Sequence, residues 1–124
     1  MNTTTTRVYD VRERTYLYAV EVVKFLKGLP DDYISRTIGK QLLRSATSIG
    51  ANIIEAQAAS SRRDFANCYT HSLKSANESK FWFGLLRDTG KASRAELDGL
   101  LSETNELSNI LASSILTARG KRKF

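Results

Sequence analysis

Apolar residues recur every three or four positions along nearly the whole chain, the spacing that gathers them on one face of an α-helix. In a first segment, about residues 8–27, Val11, Tyr18, Val22, Phe25 and Leu29 continue one stripe. Gly28-Leu29-Pro30-Asp31-Asp32 interrupts it, because Gly stops a helix while Pro and Asp favour the start of the next. A second helix is predicted over about 32–58. Ser60-Ser61 offers a cap for a third, over 62–88, with Asp64 three residues beyond Ser61 in a capping-box position. There Phe65, Tyr69, Ser72, Ala76, Ser79, Phe83 and Leu86 repeat in a four-three pattern. Thr89-Gly90-Lys91 ends it. Ser93 with Glu96 opens a fourth helix, over 94–118, through Leu97, Leu100, Thr104, Leu107, Leu111 and Ser114. Four long helices joined by short turns predict an all-α, antiparallel up-down-up-down four-helix bundle. No linker or internal repeat divides residues 1–124, so a single domain is expected, with a short disordered N-terminus at about 1–7 and a basic tail at 119–124.

The second helix carries the most distinctive pattern, QLLRSATSIGANIIEA over residues 41–56. Leu42, Ala46, Ile49, Ile53 and Ala56 form its apolar stripe. About 100° around lies a second stripe of Gln41, Ser45, Ser48, Asn52 and Glu55. An exposed helix face is usually filled with Lys and Glu, whereas small hydroxyls and an amide suit close packing and defined hydrogen bonds. Leu43, Gly50 and Ile54 lie beyond the apolar stripe on its other side. Contact around most of the helix is therefore expected, which a small monomeric bundle does not provide. Asn52 is read as a buried polar group that specifies register or oligomer state.

Charge adds one localised feature. The net charge is +6, and Arg119, Lys121, Arg122 and Lys123 supply four of these charges. With Arg62 and Arg63 at the start of the third helix, they are the candidate contacts to RNA or DNA phosphates. One Cys and one His exclude a disulfide framework and a four-ligand zinc site made from these residue types, which fits a reducing cytoplasm. No signal-peptide segment and no apolar run of about 18 residues are seen, so no membrane contact is expected.

The remaining candidates for chemistry are few. Cys68 and His71 share a helix face at i, i+3, but no Glu-x-x-His repeat or further Cys or His completes a metal site. There is no glycine-rich phosphate loop. No catalytic residue, metal or cofactor is expected, and the chain is read as non-enzymatic. Glu55 and Glu78 sit among small or apolar neighbours and are expected to be partly buried, with Arg44 as the cationic partner. Phe81-Trp82-Phe83 spreads three aromatics over about 200° of a helix, so at least one faces outward. Trp82 is the expected centre of a docking surface for a protein partner, and with Phe81, Leu43 and Ile54 it forms the candidate interface set.

The segment from Gln41 to Glu55, then Ser61, Asp64-Phe65 and Ser75-Ala-Asn-Glu78, resembles the bacterial four-helix-bundle proteins first noted as open reading frames in intervening sequences of 23S ribosomal RNA genes. That family's pattern runs Q-L-x-R-(S/A)-x-x-S-I-x-x-N-I-x-E-G, then a Ser, an acidic-Phe step and a G-S-x-x-E segment. Gln41, Arg44, Ser45, Ser48, Asn52, Glu55 and Glu78 are the matching motif residues. Ala56 and Lys74 stand where Gly is usual. The resemblance implies a homo-oligomer, commonly a ring of five. It also implies kinship with the pentameric accessory protein of diversity-generating retroelements, which binds nucleic acid and a reverse transcriptase. It implies no catalytic residue. Two functions follow as expectations: an oligomer binding RNA or DNA through basic patches, or a protein scaffold without nucleic-acid binding.

Overall fold

The structure, a computed structural model, describes residues 10–120. Among these residues there are four helices and no strand: α1 (Val11–Lys27), α2 (Tyr33–Ala56), α3 (Arg62–Asp88) and α4 (Arg94–Ala118). Each start is fixed by a capping side chain in extended backbone that accepts an N–H from the first turn. Asp10 accepts from Glu13 at 2.9 Å, Asp32 from Ser35 at 2.8 Å, Ser61 from Asp64 at 3.0 Å and Ser93 from Glu96 at 3.2 Å. The predicted ends of α3 and α4 agree with these bounds. Two boundaries differ. α1 begins at Val11 because Asp10 is its cap, and the expected start at Val8 lies outside the described residues. α2 stops at Ala56, and Gln57 and Ala58 enter a turn.

The three short connections make sequential helices antiparallel neighbours in an up-down-up-down bundle. α2 packs along α3, and α3 along α4, while α1 lies on α2 and touches α4 only lightly. Leu42, Ala46, Ile49, Ile53 and Ala56 are all buried, as their spacing predicts. They meet Val22 and Phe25 of α1, Ala76, Phe83 and Leu86 of α3, and Leu97, Leu107 and Leu111 of α4 in one core. Full burial of each Leu, Ile or Phe contributes about 1.5–3 kcal/mol. The α1-facing side of α2 carries Gly39 and Gly50. A side chain at Gly50 would press on Thr15, 3.2 Å from its Oγ1, so the missing Cβ sets how closely α1 approaches.

Inside this core lie hydroxyls from all four helices. Tyr18 of α1 and Thr104 of α4 share a 2.6 Å hydrogen bond, and Ser45 of α2 and Ser79 of α3 share one of 2.8 Å. Ser72 adds a bond from α3 to the Ile49 carbonyl of α2 at 2.8 Å. Ser45, Ser79 and Thr104 also bond to carbonyls of their own helices, so the Tyr18 phenol is the group that a register shift would leave without a partner, at about 1–3 kcal/mol.

Burial is the main cause that pushes the Tyr18 phenol up to about 12 from its ordinary 10.0. Between these values the unfolded chain releases the proton and the folded chain keeps it. The stabilisation is therefore complete below about pH 10 and is lost as pH rises toward 12. Tyr18→Phe should lower stability at neutral pH by about 1 kcal/mol and make the alkaline decline shallower, with Tyr69, also raised by burial, retaining its part. Urea denaturation across this pH range measures both; equal alkaline slopes would show that Tyr18 is not held neutral by the core.

Candidate functional site: the α2–α3 seam and the basic end

The second stripe of α2 runs along its seam with α3, turning from core to solvent. Ser45 is fully buried and crosses to Ser79. Gln41, Ser48 and Asn52 are half-buried, and Glu55 is exposed, contrary to the expectation of partial burial. Asn52 is not a buried register-setting group within the chain: it donates from Nδ2 to the Ser48 carbonyl of its own helix at 2.8 Å. Ser48 likewise bonds back to the Arg44 carbonyl at 2.7 Å. Within the chain, the bond from this stripe to α3 is made by Ser45.

At the middle of the seam, Glu78 is the acceptor for two helices. One of its carboxylate oxygens, Oε2, accepts from Arg44 Nη2 of α2 at 2.5 Å and from Trp82 Nε1 of its own helix at 2.9 Å. Arg44 Nη2 also reaches Gln41 Oε1 at 3.3 Å. The expected Arg44–Glu78 pair is thus present and lies within one chain. It ties α2 to α3 on the outside, above the Ser45–Ser79 bond that ties them inside. Because Trp82 is anchored here and half-buried, it is not the outward aromatic expected from the sequence. Phe81 is, at 62% exposure, with its ring 5.0 Å from that of Trp82 and nearly edge-on, while Phe83 fills the core.

The basic residues divide by position. Arg62 and Arg63 at the start of α3 and Arg119 after α4 line one hollow of about 440 Å³ at the end of the bundle. Arg119 also lies 3.4 Å from the Thr70 hydroxyl, which holds its guanidinium toward α3. Lys121, Arg122 and Lys123 fall outside the described residues. In sequence they follow Gly120.

The rest of the surface offers no assembled chemistry. Cys68 is half-buried and His71 exposed. Burial, then the Asp64 and Glu55 carboxylates, raises the Cys68 thiol, which disfavours the thiolate a nucleophile needs. Among the described residues no cluster of three or more His, Cys, Asp and Glu side chains could hold a metal ion. No described helix is long and apolar enough to cross a membrane. Leu43 and Ile54 project from α2 on its α1 side and are exposed, Ile54 by 59%. Tyr16 and Val23 of α1 are exposed as well.

Sequence reading misses one feature, the open side between α1 and α4. A groove of about 790 Å³ runs there, floored by Leu17, Phe25 and Leu100. Arg14 bridges its lower end, donating to Glu103 at 2.8 Å and Glu106 at 2.6 Å. Both carboxylates hold the guanidinium firmly charged. Nothing local in the sequence marks Arg14 for this, since its partners lie on the last helix.

The fold is thus an all-α bundle whose buried hydroxyls bond between helices and whose surface keeps several large apolar side chains. The chain belongs to the family of 23S rRNA-intervening sequence proteins, which it matches over residues 7–113. It is also similar to the crystal structure of a protein of unknown function from the S23 ribosomal protein family of Bacteroides thetaiotaomicron. The two share 36% identity with a TM-score of 0.79, over 86% of this chain and 98% of that one. No curated protein matches the chain significantly.

The seam makes a measurable demand. Glu78→Ala removes the acceptor of Arg44 and Trp82 together, and should destabilise the bundle by about 1 kcal/mol because the pair is partly solvated. Trp82 emission should shift to longer wavelength as the ring loosens. An unchanged emission and denaturation midpoint would remove Glu78 from the structural core of the family motif.

Proposed function

We propose that this protein is a non-catalytic, cytoplasmic homo-oligomer, a ring of five as the family resemblance suggests, that contacts RNA or DNA through its basic end. The observation that carries the nucleic-acid reading is the convergence of Arg62, Arg63 and Arg119 on one hollow, with Lys121, Arg122 and Lys123 next along the chain. Guanidinium groups on a rigid end suit phosphate oxygens, and such contacts release counterions on binding. Support for self-association comes from large apolar side chains that the single bundle leaves uncovered, Tyr16, Leu43 and Ile54 among them.

A second reading is a scaffold that binds a protein partner without nucleic acid, and exposed Phe81 favours it. The two readings separate in one experiment. Binding of a structured RNA is measured over a range of salt concentrations for the wild type, for Arg62→Glu/Arg63→Glu, and for a chain ending at residue 118. The proposal expects affinity that falls steeply with salt, and a loss of about tenfold or more in each variant. Absence of binding at low salt leaves the scaffold reading; Phe81→Ala should then abolish partner capture while oligomer size is kept.

A further inference from the structure

The charges of α2 and α4 are segregated. From residue 33 to 54, α2 carries Arg36, Lys40 and Arg44 and no carboxylate, and from 95 to 118, α4 carries Glu96, Asp98, Glu103 and Glu106 and no Lys or Arg. These helices lie on opposite corners of the bundle, so they do not neutralise each other within one chain. Arg44 is engaged by Glu78, and Arg36 pairs with Asp31 at 2.7 Å. Lys40 and Lys27 make no ion pair among the described residues.

Two open faces flank α1, and they complement one another. The α1–α2 face presents Val23, Leu43 and Ile54 beside Lys27 and Lys40, with a shallow hollow of about 560 Å³ between Leu26, Leu29 and Leu43. The α1–α4 face presents the groove floored by Leu17, Phe25 and Leu100, where Ala95 and Gly99 leave room for an approaching helix. Of the charged side chains lining that groove, Lys24 pairs with Glu21 at 3.7 Å and Arg14 with Glu103 at 2.8 Å, whereas Glu96 makes no ion pair among the described residues. Resting on the homo-oligomer reading above, we infer that these faces are the two halves of one repeating contact, in which the basic apolar face of α2 enters the α1–α4 groove of a second copy and the unpaired Lys40 meets the unpaired Glu96.

Axial position supports this occupant. Gly39 packs at the level of Leu26 and Leu29 on α1, and Phe25 lines the groove together with Ala95 and Glu96 of α4. Lys40 and Glu96 therefore stand at nearly the same height along the bundle. Copies joined side by side pair these charges without sliding along the axis, and a contact with no axial rise closes into a ring instead of a filament. The two faces adjoin along α1, so each step turns through a large angle and few copies complete the circle. In such a ring every α1 lines the inside. Every basic end, with Arg62, Arg63 and Arg119, lies on the same rim, where several weak phosphate sites act together.

Sedimentation velocity of the full chain tests the contact with Lys40→Glu, Glu96→Lys, the double charge swap and Leu43→Glu, each checked for helix content and thermal unfolding. Each single variant should fold as the wild type does and dissociate about tenfold or more readily, since like charges then meet across the interface. The double swap should recover wild-type assembly. An oligomeric wild type whose size no single variant changes, or a double swap no better than either single change, overturns this interface while leaving self-association intact. A monomeric wild type at micromolar concentration overturns the oligomer reading itself, and the interface with it.

Discussion

Hydroxyl groups buried inside the core, rather than the apolar side chains around them, settle how the four helices sit against one another. Leucine and isoleucine faces tolerate a shift of one helix past another, because dispersion and hydrophobic burial are nearly indifferent to direction. Directed bonds are not. The Tyr18 phenol finds its partner on Thr104 of α4, and Ser45 meets Ser79, while Ser45, Ser79 and Thr104 also bond to carbonyls of their own helices, so the phenol loses most in any other alignment. Ser72 repeats the constraint between α3 and the backbone of α2 one layer away. The outer Glu78 cluster then ties α2 to α3 at the surface, directly above the Ser45–Ser79 bond.

That arrangement explains why so much of the polar character of α2 is spent on structure. Its small side chains either cross to α3, as Ser45 does, or bond back to their own helix, as Ser48 and Asn52 do. The stripe works as packing within the chain, as small hydroxyls and an amide at these positions suggest in sequence. The open apolar and basic surfaces lie elsewhere: the apolar side of α1 and α2, the groove beside α4, and the basic end.

The helices themselves were legible because their signals are local. Asp32, Ser61 and Ser93 mark starts by chemistry contained within four residues, and the apolar stripes follow from spacing alone. Asp10 with Glu13 carries the same capping signal, which places the start of α1 more accurately than apolar spacing does. The Arg44–Glu78 pair could be anticipated because both residues sit mid-helix on the sides of α2 and α3 that meet. Other features depend on which helices become neighbours. Trp82 and Phe81 differ by one residue, so only the position of Glu78 and α2 decides which ring is anchored. Their small and apolar neighbours in sequence suggest a buried Asn52 and a partly buried Glu55, yet the seam opens toward solvent at their end of α2. The Tyr18–Thr104 bond and the Arg14 bridge join the first helix to the last, a pairing that no stretch of one sequence displays.

On the reading proposed above, a single bundle is an incomplete unit, with faces that need further copies of the chain. Native mass spectrometry of the wild-type protein addresses it most directly, because one subunit is 13.9 kDa and complexes differ by whole multiples. The account predicts a single closed species at a small multiple of that mass, five by the family resemblance. A spectrum holding only the 13.9 kDa chain at micromolar concentration would contradict it.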